Sequence, residues 1–384
     1  MNVLILCLGN PETLPRPKRN ISYLHKKKFT VDAVCYKYKP NKYSELRKSF
    51  FLLTKENFLG KSFIRRITRS LPSVTIKLSN KLCQFAEKLS NWHLNCRDIE
   101  RDIKENKYNY ILVEDLYLLP LSFRVCNGAR LIFDAREYYT KQFENNFFWK
   151  ILAKPYREYL CHEYLKKCDH IITVSEGISN EFANEFNVKS SVVRSTPELF
   201  DIKVTKTIGI IKLVHHGNSN SNRSIDNLIK IIGSVSRKIS LDLYLTGDPQ
   251  NINKIKKKAS SYSNINVSEP LPYIDMIPKL NEYDVGIHFL PPNGFNLLHC
   301  LPNKFFEFIQ ARLAVIIGPS PQMASVIKKY QCGLISKNFS NDSMINLLQN
   351  ISIEEIDECK KNSNTAALDL CWEKESQKLS RFFI

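Results

Sequence analysis

A lysine and a glutamate stand one helical turn apart in residues 301–319, where they could bind an anion and a polar ligand. Lys304 begins an amphipathic stretch with apolar residues at helical spacing, and Glu307 lies one turn further on. Helix N-terminal amides together with an ammonium group can hold a phosphate, and a carboxylate can accept hydrogen bonds from a hydroxyl pair. The stretch therefore predicts a site for a phosphorylated, hydroxyl-rich ligand. The alternative is an ordinary helix whose lysine and glutamate are surface residues.

The elements around this stretch predict a parallel α/β sheet. The helix precedes the apolar run 313–317, which ends at Gly318-Pro319, and such helix–strand units are typical of doubly wound sheets. These sheets bind ligands at the carboxyl ends of their strands. Further strands are predicted in both halves of the chain, at 3–8, 30–36, 110–114, 130–134, 210–217, 241–247, 265–267, 284–290 and 330–335, together with a strand and turn at 169–177.

The run PNKFFE at 302–307, followed by AVI at 314–316, resembles the donor-binding segment of GT-B glycosyltransferases, chiefly their large bacterial retaining family, family four. In that family the glutamate often closes a pair of glutamates with seven residues between them. The partner position here holds a histidine, which departs from the pattern. The resemblance implies that this segment binds a nucleotide-sugar donor. The candidate donor-binding residues of the segment are His299, Asn303, Lys304 and Glu307.

The resemblance also covers strands that end in glycine. In the family, the loop after the strand ending at Gly217 usually supplies an arginine and a lysine to the donor diphosphate. Here Asn218 takes the arginine position, and Arg223 is the remaining cation of the loop. Gly247, at the end of the next strand, and Gly9, at the end of the first strand of the chain, complete the candidate donor-binding residues.

Carboxylates follow a buried strand in the run FDARE at 133–137. The run resembles the family segment that faces the acceptor, and a carboxylate there could deprotonate the acceptor hydroxyl. The alternative is a helix cap, with Asp134 at the cap position and Glu137 three residues later. Asp134, Glu137 and Glu307 are the candidate catalytic residues.

Basic residues dominate the composition and concentrate in one segment. The 384 residues include 56 Lys and Arg against 38 acids, a net charge of +18, which suggests nucleic acid, anionic lipid or a phosphorylated substrate as partner. From residue 16 to residue 69 there are 16 Lys and Arg and three acids, mixed with Phe, Leu and Ile.

This mixture predicts that a basic amphipathic insertion at about 37–97 lies on an anionic membrane; the alternative is a solvated basic face. No nucleic-acid module is recognisable, so nucleic acid is not expected as a partner. In the family, a Pro-Arg signature near residue 16 faces the acceptor. The candidates for acceptor or membrane contact are Arg16, Lys18, Lys61, Arg65, Arg66 and Arg69.

Several other patterns are missing from the sequence. There is no signal-peptide pattern and no apolar stretch long enough to span a bilayer. Eleven scattered cysteines without a CxxC motif favour reduced thiols, and no D-x-D triplet occurs. We therefore expect a cytoplasmic protein, peripheral on the inner membrane, without a metal or a cofactor.

The length predicts two α/β domains. We expect an acceptor-binding domain at 1–200, a nucleotide-sugar-binding domain at 205–365 and a terminal helix at 366–384 packing on the first domain. The resemblance implies a GT-B fold, with two Rossmann-like doubly wound domains facing a cleft. It implies transfer of a sugar from a nucleotide-activated donor to a saccharide acceptor, lipid-linked, in lipopolysaccharide, O-antigen or capsule biosynthesis. The alternative is a non-catalytic or epimerase-like GT-B protein of a surface-polysaccharide complex.

Overall fold

The chain divides into two compact units in a computed structural model that describes residues 1–36, 38–39, 44–52, 80–94, 96–235 and 238–384. The N-terminal unit comprises Met1–Val193, Gly294–Asn296 and Leu379–Ile384, and the C-terminal unit comprises Arg194–Asn293 and Leu297–Lys378. The sequence-based division lies at 200–205, whereas the chain changes unit after Val193.

The N-terminal unit is built on a seven-stranded parallel sheet with the strand order β3-β2-β1-β4-β5-β6-β7. Its strands are β1 Asn2–Leu6, β2 Thr30–Tyr36, β3 Lys48–Leu52, β4 Tyr110–Val113, β5 Arg130–Ala135, β6 His170–Thr173 and β7 Ser191–Val192. In the centre, Leu6 pairs with Val34 on one side and with Val113 on the other. These apolar runs are buried on both faces of the sheet, as parallel strands covered by helices require.

Helices connect these strands, and the strand order reverses between β1 and β4. The helices are α1 Pro15–Lys26, α2 Asn80–His93, α3 Cys96–Lys104, α4 Leu119–Val125, α5 Phe147–Leu152, α6 Lys154–Tyr164 and α7 Glu176–Phe186. Local signals set the ends of α7: the Ser175 hydroxyl accepts a hydrogen bond from the amide of Ile178, and Asn187 takes the left-handed conformation after the last turn.

Strand β3 corrects part of the predicted membrane insertion. Phe50 and Leu52 are buried in the core, Phe51 and Lys48 are exposed, and the alternation is that of an edge strand with one face inward. The sequence pattern was misleading because an edge strand and a helix on a membrane can both combine basic residues with bulky apolar ones. Lys61, Arg65, Arg66 and Arg69 lie outside the described residues.

The C-terminal unit has a six-stranded parallel sheet with the strand order β10-β9-β8-β11-β12-β13, which reverses between β8 and β11. Its strands are β8 Ile211–Asn218, β9 Ile239–Thr246, β10 Ile265–Ser268, β11 Val285–His288, β12 Ala314–Ile317 and β13 Gly333–Ile335. The last strand is shorter than predicted, because residues up to Tyr330 continue the preceding helix.

The helices of the second half of the chain are α8 Ile225–Gly233, α9 Pro249–Ala259, α10 Tyr273–Leu280, α11 Phe295–Leu298, α12 Asn303–Gln310, α13 Pro321–Tyr330, α14 Asn341–Asn350, α15 Ile353–Asp369 and α16 Trp372–Leu379. Helix α12 lies directly against the sheet. The ring of Phe308 occupies the space over Gly286 of β11, where an added Cβ would lie 2.2 Å from the ring. Close packing of α12 therefore requires a glycine, which has no side chain, at position 286.

The last six residues of the chain belong to the N-terminal unit. The Phe383 ring packs edge-on against Tyr110 and Phe29, and the Tyr110 hydroxyl donates a 2.5 Å hydrogen bond to the carbonyl of Ile384. The segment that the structure places there begins at Leu379, inside the predicted terminal helix at 366–384. Among the described residues, no helix is both long enough and apolar enough to cross a membrane.

Candidate functional site

The predicted donor residues of the C-terminal unit gather at the carboxyl edge of its sheet. Strands β8 and β11 end side by side where the strand order reverses, and helix α12 begins after the loop that follows β11. This is where open α/β sheets bind ligands. We call the ionisable residues at this edge the lysine–histidine cluster; they are His215, His216, His288, Lys304 and Glu307.

The Lys304 ammonium is half-buried beside the end of β8. It donates a hydrogen bond to the carbonyl oxygen of His216, and its Nζ lies 3.3 Å from Nε2 of His215. Gly217 makes this approach possible, since an added Cβ would lie 2.7 Å from Nζ, and its φ of +137° also disfavours any other residue. The predicted donor residues Gly217 and Lys304 are therefore in direct contact, and the position of one depends on the other.

Histidines around this lysine are neutral. Burial, together with the positive charge of Lys304, lowers the pKa of His216 to about 3 and that of His288 to about 3. Nδ1 of His215 lies 2.9 Å from the carbonyl oxygen of Ile287 and so donates to it, which leaves Nε2 as an acceptor toward Lys304. The His216 Nε2 atom lies 3.2 Å from a carboxylate oxygen of Glu307.

The surroundings of Lys304 favour arrival of an anion. Burial, and then the nearby Arg223 guanidinium, lower the pKa of Lys304 to about 8, although Glu307 acts in the opposite direction. Two buried polar atoms of the same edge, Oγ of Ser219 and Nδ1 of His288, have no hydrogen-bond partner among the described residues. A ligand with acceptor and donor groups would satisfy both.

The remaining predicted donor residues lie on neighbouring loops of the same unit. Asn218 ends β8 and accepts a hydrogen bond from the amide of Asn220, and the exposed Arg223 ends a short 3₁₀ turn, Ser221–Arg223. Gly247 has a φ of +115°, and an added Cβ would meet Oγ of Ser219 at 2.9 Å. His299 is half-buried in the loop that precedes α12.

Two further donor candidates differ in their position. Asn303 is the first residue of α12, whose N-terminus has no side-chain cap because Pro302 precedes it. Gly9 lies in the N-terminal unit after β1, and the space beside its Cα is filled by Leu14, 2.6 Å from where a Cβ would be. Gly9 therefore belongs to a different unit from the residues of the lysine–histidine cluster.

A second group of ionisable side chains lies at the carboxyl edge of the N-terminal sheet. We call it the carboxylate cluster; its members are Arg16, Glu114, Asp115, Asp134 and Arg136. Nε of Arg16 is 2.5 Å from Oδ2 of Asp134, and Nη1 of Arg16 donates to the carbonyl of Val193 at 2.9 Å. Both side chains of this pair are buried.

The helix-cap alternative for Asp134 is not what the structure shows. Asp134 lies within β5 and is completely buried, whereas Glu137 lies after the strand, is exposed and accepts a hydrogen bond from the side-chain amide of Gln142. Arg16, predicted to face the acceptor or the membrane, is buried by its pairing with Asp134, and Lys18 is exposed. Among these residues, solvent therefore reaches Glu137 and Lys18.

Glu114 and Asp115, which sequence reasoning did not select, follow β4 directly. Burial raises the pKa of Glu114 to about 8 against the opposing charge of Arg136, and its Oε1 accepts a 2.9 Å hydrogen bond from Asn20. Asp115 accepts hydrogen bonds from the amide of Leu8 at 2.6 Å and from Arg136 at 3.1 Å. Two consecutive acids after an apolar strand were the available signal. No group of three or more potential metal-binding side chains occurs in the part of the chain that the structure describes.

The two sheets define the class of fold. Parallel sheets of seven and six strands, each reversing its order beside its first strand, form the two Rossmann-like halves of the GT-B fold. Solved GT-B glycosyltransferases match the chain over its full length, which confirms the predicted fold class.

Particular structures can be compared over nearly their whole length. A sucrose-phosphate synthase from Thermosynechococcus elongatus has a TM-score of 0.71 at 11% identity, covering 100% of this chain and 98% of that one. TarM from S. aureus, in complex with fondaparinux, α-GlcNAc-glycerol and UDP, has a TM-score of 0.71 at 10% identity, with coverage of 100% and 99%.

A UDP-forming α,α-trehalose-phosphate synthase from Burkholderia vietnamiensis has a TM-score of 0.67 at 8% identity, with coverage of 100% and 99%. At such identities these likenesses establish the fold alone. Neither a protein-family model nor a curated protein matches the sequence.

Proposed function

We propose that the protein is a glycosyltransferase that moves a sugar from a nucleotide-activated donor to a saccharide acceptor. The observation that carries the proposal is the Lys304 ammonium, held beside Gly217 at the end of β8 among neutral histidines. A cation at a glycine-ended strand and a helix N-terminus is suited to a diphosphate. The TarM structure named above contains UDP, which agrees with a nucleotide donor on this fold.

Lys304 and the N-terminus of α12 would stabilise the departing phosphate. Negative charge grows on the leaving group as the sugar–phosphate bond breaks, and fixed cations and helix dipoles favour that charge most in the transition state. The exposed Arg223 would supply a second cation from the opposite loop. We expect these groups to act without a metal ion.

Glu307 would accept hydrogen bonds from hydroxyls of the donor sugar. Its carboxylate lies one turn after Lys304 and 3.2 Å from His216, so the neutral imidazole restricts where the carboxylate can lie. His299, at the position of the family's other glutamate, would contact the same sugar. Because an imidazole differs from a carboxylate in charge, we infer a donor pocket that differs from the family pattern.

The N-terminal unit would bind the acceptor. Glu137 is the exposed carboxylate after β5 and would act as general base on the acceptor hydroxyl. Asp134, buried against Arg16, would act as a positioning residue that fixes the strand end from which Glu137 projects. Lys18, exposed on α1, would contact an anionic acceptor.

A lipid-linked acceptor at the cytoplasmic face of the inner membrane is the finer part of the proposal, with lipopolysaccharide, O-antigen or capsule as the product. Its support is the basic, Phe- and Leu-rich sequence that contains Lys61, Arg65, Arg66 and Arg69. Replacing these four residues by Gln should release the protein from vesicles that contain anionic lipid. Equal binding to anionic and neutral vesicles by the unaltered protein would contradict membrane attachment.

A screen of nucleotide sugars by thermal unfolding tests the donor proposal. A ligand at 100 times its dissociation constant adds about 2.7 kcal/mol to the free energy of unfolding. We expect one nucleotide sugar to raise the melting temperature of the protein, and Lys304→Ala to make that rise smaller at the same ligand concentration. Lys257→Ala, which removes an exposed lysine of α9, is the matched control.

The activity needs its own measurement. Sugar transfer or slow donor hydrolysis by the purified protein would support a transferase. Donor binding without any turnover would contradict it and favour the non-catalytic alternative, whereas interconversion of nucleotide sugars would favour an epimerase.

A further inference from the structure

We infer that the N-terminal unit carries a separate binding site for a phosphate-bearing ligand, in a basic cavity between helices α2, α3 and α4. The cavity has a volume of about 630 Å³ and is lined by five cationic and two acidic side chains. Its volume falls within the usual range of ligand pockets, about 300–1,000 Å³. The inference does not rest on the proposed transferase reaction, since a phosphate site is independent of that chemistry.

Both acids of the cavity are already engaged by the protein. Glu100 accepts hydrogen bonds from Lys104 and from Nε of Arg124, each at 2.9 Å. Burial acts to raise the pKa of Glu100, but these hydrogen bonds outweigh it and lower the pKa. Glu87 accepts a 2.9 Å hydrogen bond from the hydroxyl of Tyr164. The acids therefore leave most of the positive charge of the cavity uncompensated.

Two arginines of α3 supply that uncompensated charge. Arg97 and Arg101 are exposed and four residues apart, so they lie on one face of the helix. No carboxylate among the described residues lies within ion-pair distance of Arg97, and Arg101 approaches Asp102 only at 4.0 Å, with both side chains exposed. Like charges at this spacing destabilise a helix. A bound anion would convert this repulsion into attraction.

Arg124 of α4 adds a donor that lacks an acceptor. Its Nε bonds to Glu100 and its Nη1 donates to the carbonyl of Pro120 at 3.0 Å. Its Nη2 is buried and has no hydrogen-bond partner in the described part of the chain. A buried guanidinium nitrogen is costly to leave unsatisfied, and an oxyanion in the cavity would give the side chain a partner after a small movement.

The chemistry of the lining selects phosphate. The guanidinium groups of Arg97, Arg101 and Arg124 present planar pairs of donors that match phosphate oxygens, and Lys88 adds a point charge from α2. The cavity is larger than a single phosphate, so it fits a phosphate attached to a group of the size of glycerol or a sugar. Such a group occurs both in soluble phosphates and in lipid headgroups.

The test compares charge removal in the cavity with charge removal elsewhere. The full chain is titrated with glycerol 3-phosphate, and separately with vesicles of phosphatidylcholine with and without phosphatidylglycerol. The test variant is Arg97→Gln with Arg101→Gln. The control is Lys254→Gln with Lys257→Gln, which removes the same charge from exposed positions of α9. Arg97→Lys with Arg101→Lys keeps the charge and should retain most of the binding.

We expect the test variant to bind at least one probe about tenfold more weakly, equal to about 1.4 kcal/mol, while the control binds as the unaltered protein does. Loss confined to glycerol 3-phosphate identifies a soluble phosphate, and loss confined to anionic vesicles identifies a lipid headgroup. The inference is overturned if the unaltered protein binds neither probe, or if the test variant binds both with unchanged affinity. The thermal response to a nucleotide sugar in the test variant reports separately on the donor site.

Discussion

The carboxyl edges of the two sheets share one strand order around the reversal point but hold different ionisable groups. In the N-terminal unit, the carboxylate cluster sets three acids against Arg16 and Arg136. In the C-terminal unit, the lysine–histidine cluster sets Lys304 among three neutral histidines, with Glu307 as its carboxylate. The topology places a site at each edge, but the side chains decide which ligand charge each edge favours.

Burial shifts the pKa of an acid at one edge and of a base at the other edge in opposite directions. It raises the pKa of Glu114 and lowers the pKa of Lys304, so each group is pushed toward its neutral form. Asp134, in contrast, has a direct partner in Arg16. The Asp134 carboxylate is therefore paired within the fold, whereas the charge of Lys304 would be stabilised by an arriving anion.

The largest effects are expected for two carboxylates of the N-terminal unit, one on sugar transfer and the other on stability. Glu137→Gln should lower sugar transfer by about 10²–10⁴-fold, the usual contribution of a general base, without a change in the free energy of unfolding. Asp134→Asn should instead destabilise the protein, by up to about 3–5 kcal/mol, since it leaves Arg16 buried without its charged partner. Steady-state kinetics and denaturant unfolding measure the two effects. If Glu137→Gln does not lower transfer tenfold while donor binding persists, the base lies elsewhere.

Removal of the lysine tests the other edge. Lys304→Ala should weaken nucleotide-sugar binding by roughly 10–150-fold, because a charge-assisted hydrogen bond contributes about 1.5–3 kcal/mol. Calorimetric titration measures the affinity, with Lys257→Ala as the control. Unchanged affinity in a folded Lys304→Ala protein would show that Lys304 does not bind the donor, and the proposed preference of the C-terminal edge for an anion would then be wrong.

Glu307→Gln should affect the sugar and spare the nucleotide. Turnover should fall about tenfold, a loss of about 1.4 kcal/mol of transition-state stabilisation, while the free nucleoside diphosphate binds as before. Kinetics and nucleotide titration are compared in the same preparation. Equal loss of both would assign Glu307 to the support of helix α12 instead.

The affinity for the donor should depend on pH through Lys304. Its pKa of about 8 means that the ammonium is charged below that pH and loses its proton above it. Nucleotide-sugar affinity should therefore be level below this pKa and fall above it, by at most about tenfold per pH unit. His216 and His288, whose pKa values are lowered to about 3, do not titrate in this range. Titrations at several pH values should lose this dependence in Lys304→Ala.

The smallest effect is expected for Glu114→Gln. Glu114 carries a proton at neutral pH, and Gln keeps the acceptor for Asn20, so neither transfer nor the free energy of unfolding should decrease. With a folded pKa of about 8 against its ordinary value of 4.5, Glu114 contributes stability that is complete below pH 4.5 and is lost as the pH rises to about 8. The variant should lose less stability over this range in denaturant unfolding. A stability that falls with pH as steeply in Glu114→Gln as in the unaltered protein would contradict the raised pKa of Glu114.

Much of the C-terminal unit could be predicted from the sequence. The run at 313–317 is continuously apolar, the run at 241–246 alternates leucine with other residues, and glycine follows each run, so the strands and the ligand-binding edge follow from local pattern. The pairing of Lys304 with Gly217 could not be predicted, because 86 residues lie between the two positions and their contact depends on how β8 and β11 align.

The N-terminal unit shows where local pattern is insufficient. Strand β3 was missed because its five residues lie in a basic segment whose composition also fits a surface helix. The ion pair between Arg16 and Asp134 was missed for another reason: a charged residue in the first turn of a helix is normally exposed, and the position of α1 against β5 is a property of the whole sheet.

Close packing at Gly286 has a consequence for sequence variation. Because the Phe308 ring occupies the volume that a side chain at position 286 would need, the two positions share one fixed volume. We expect Gly286→Ala to move α12 away from β11 and to displace Lys304 at its N-terminus, so a substitution in the interior of the strand would alter the donor affinity. A smaller residue at position 308 should restore the position of α12 and the donor affinity. Across related chains, these two positions should therefore vary together, with larger residues at 286 accompanied by smaller ones at 308.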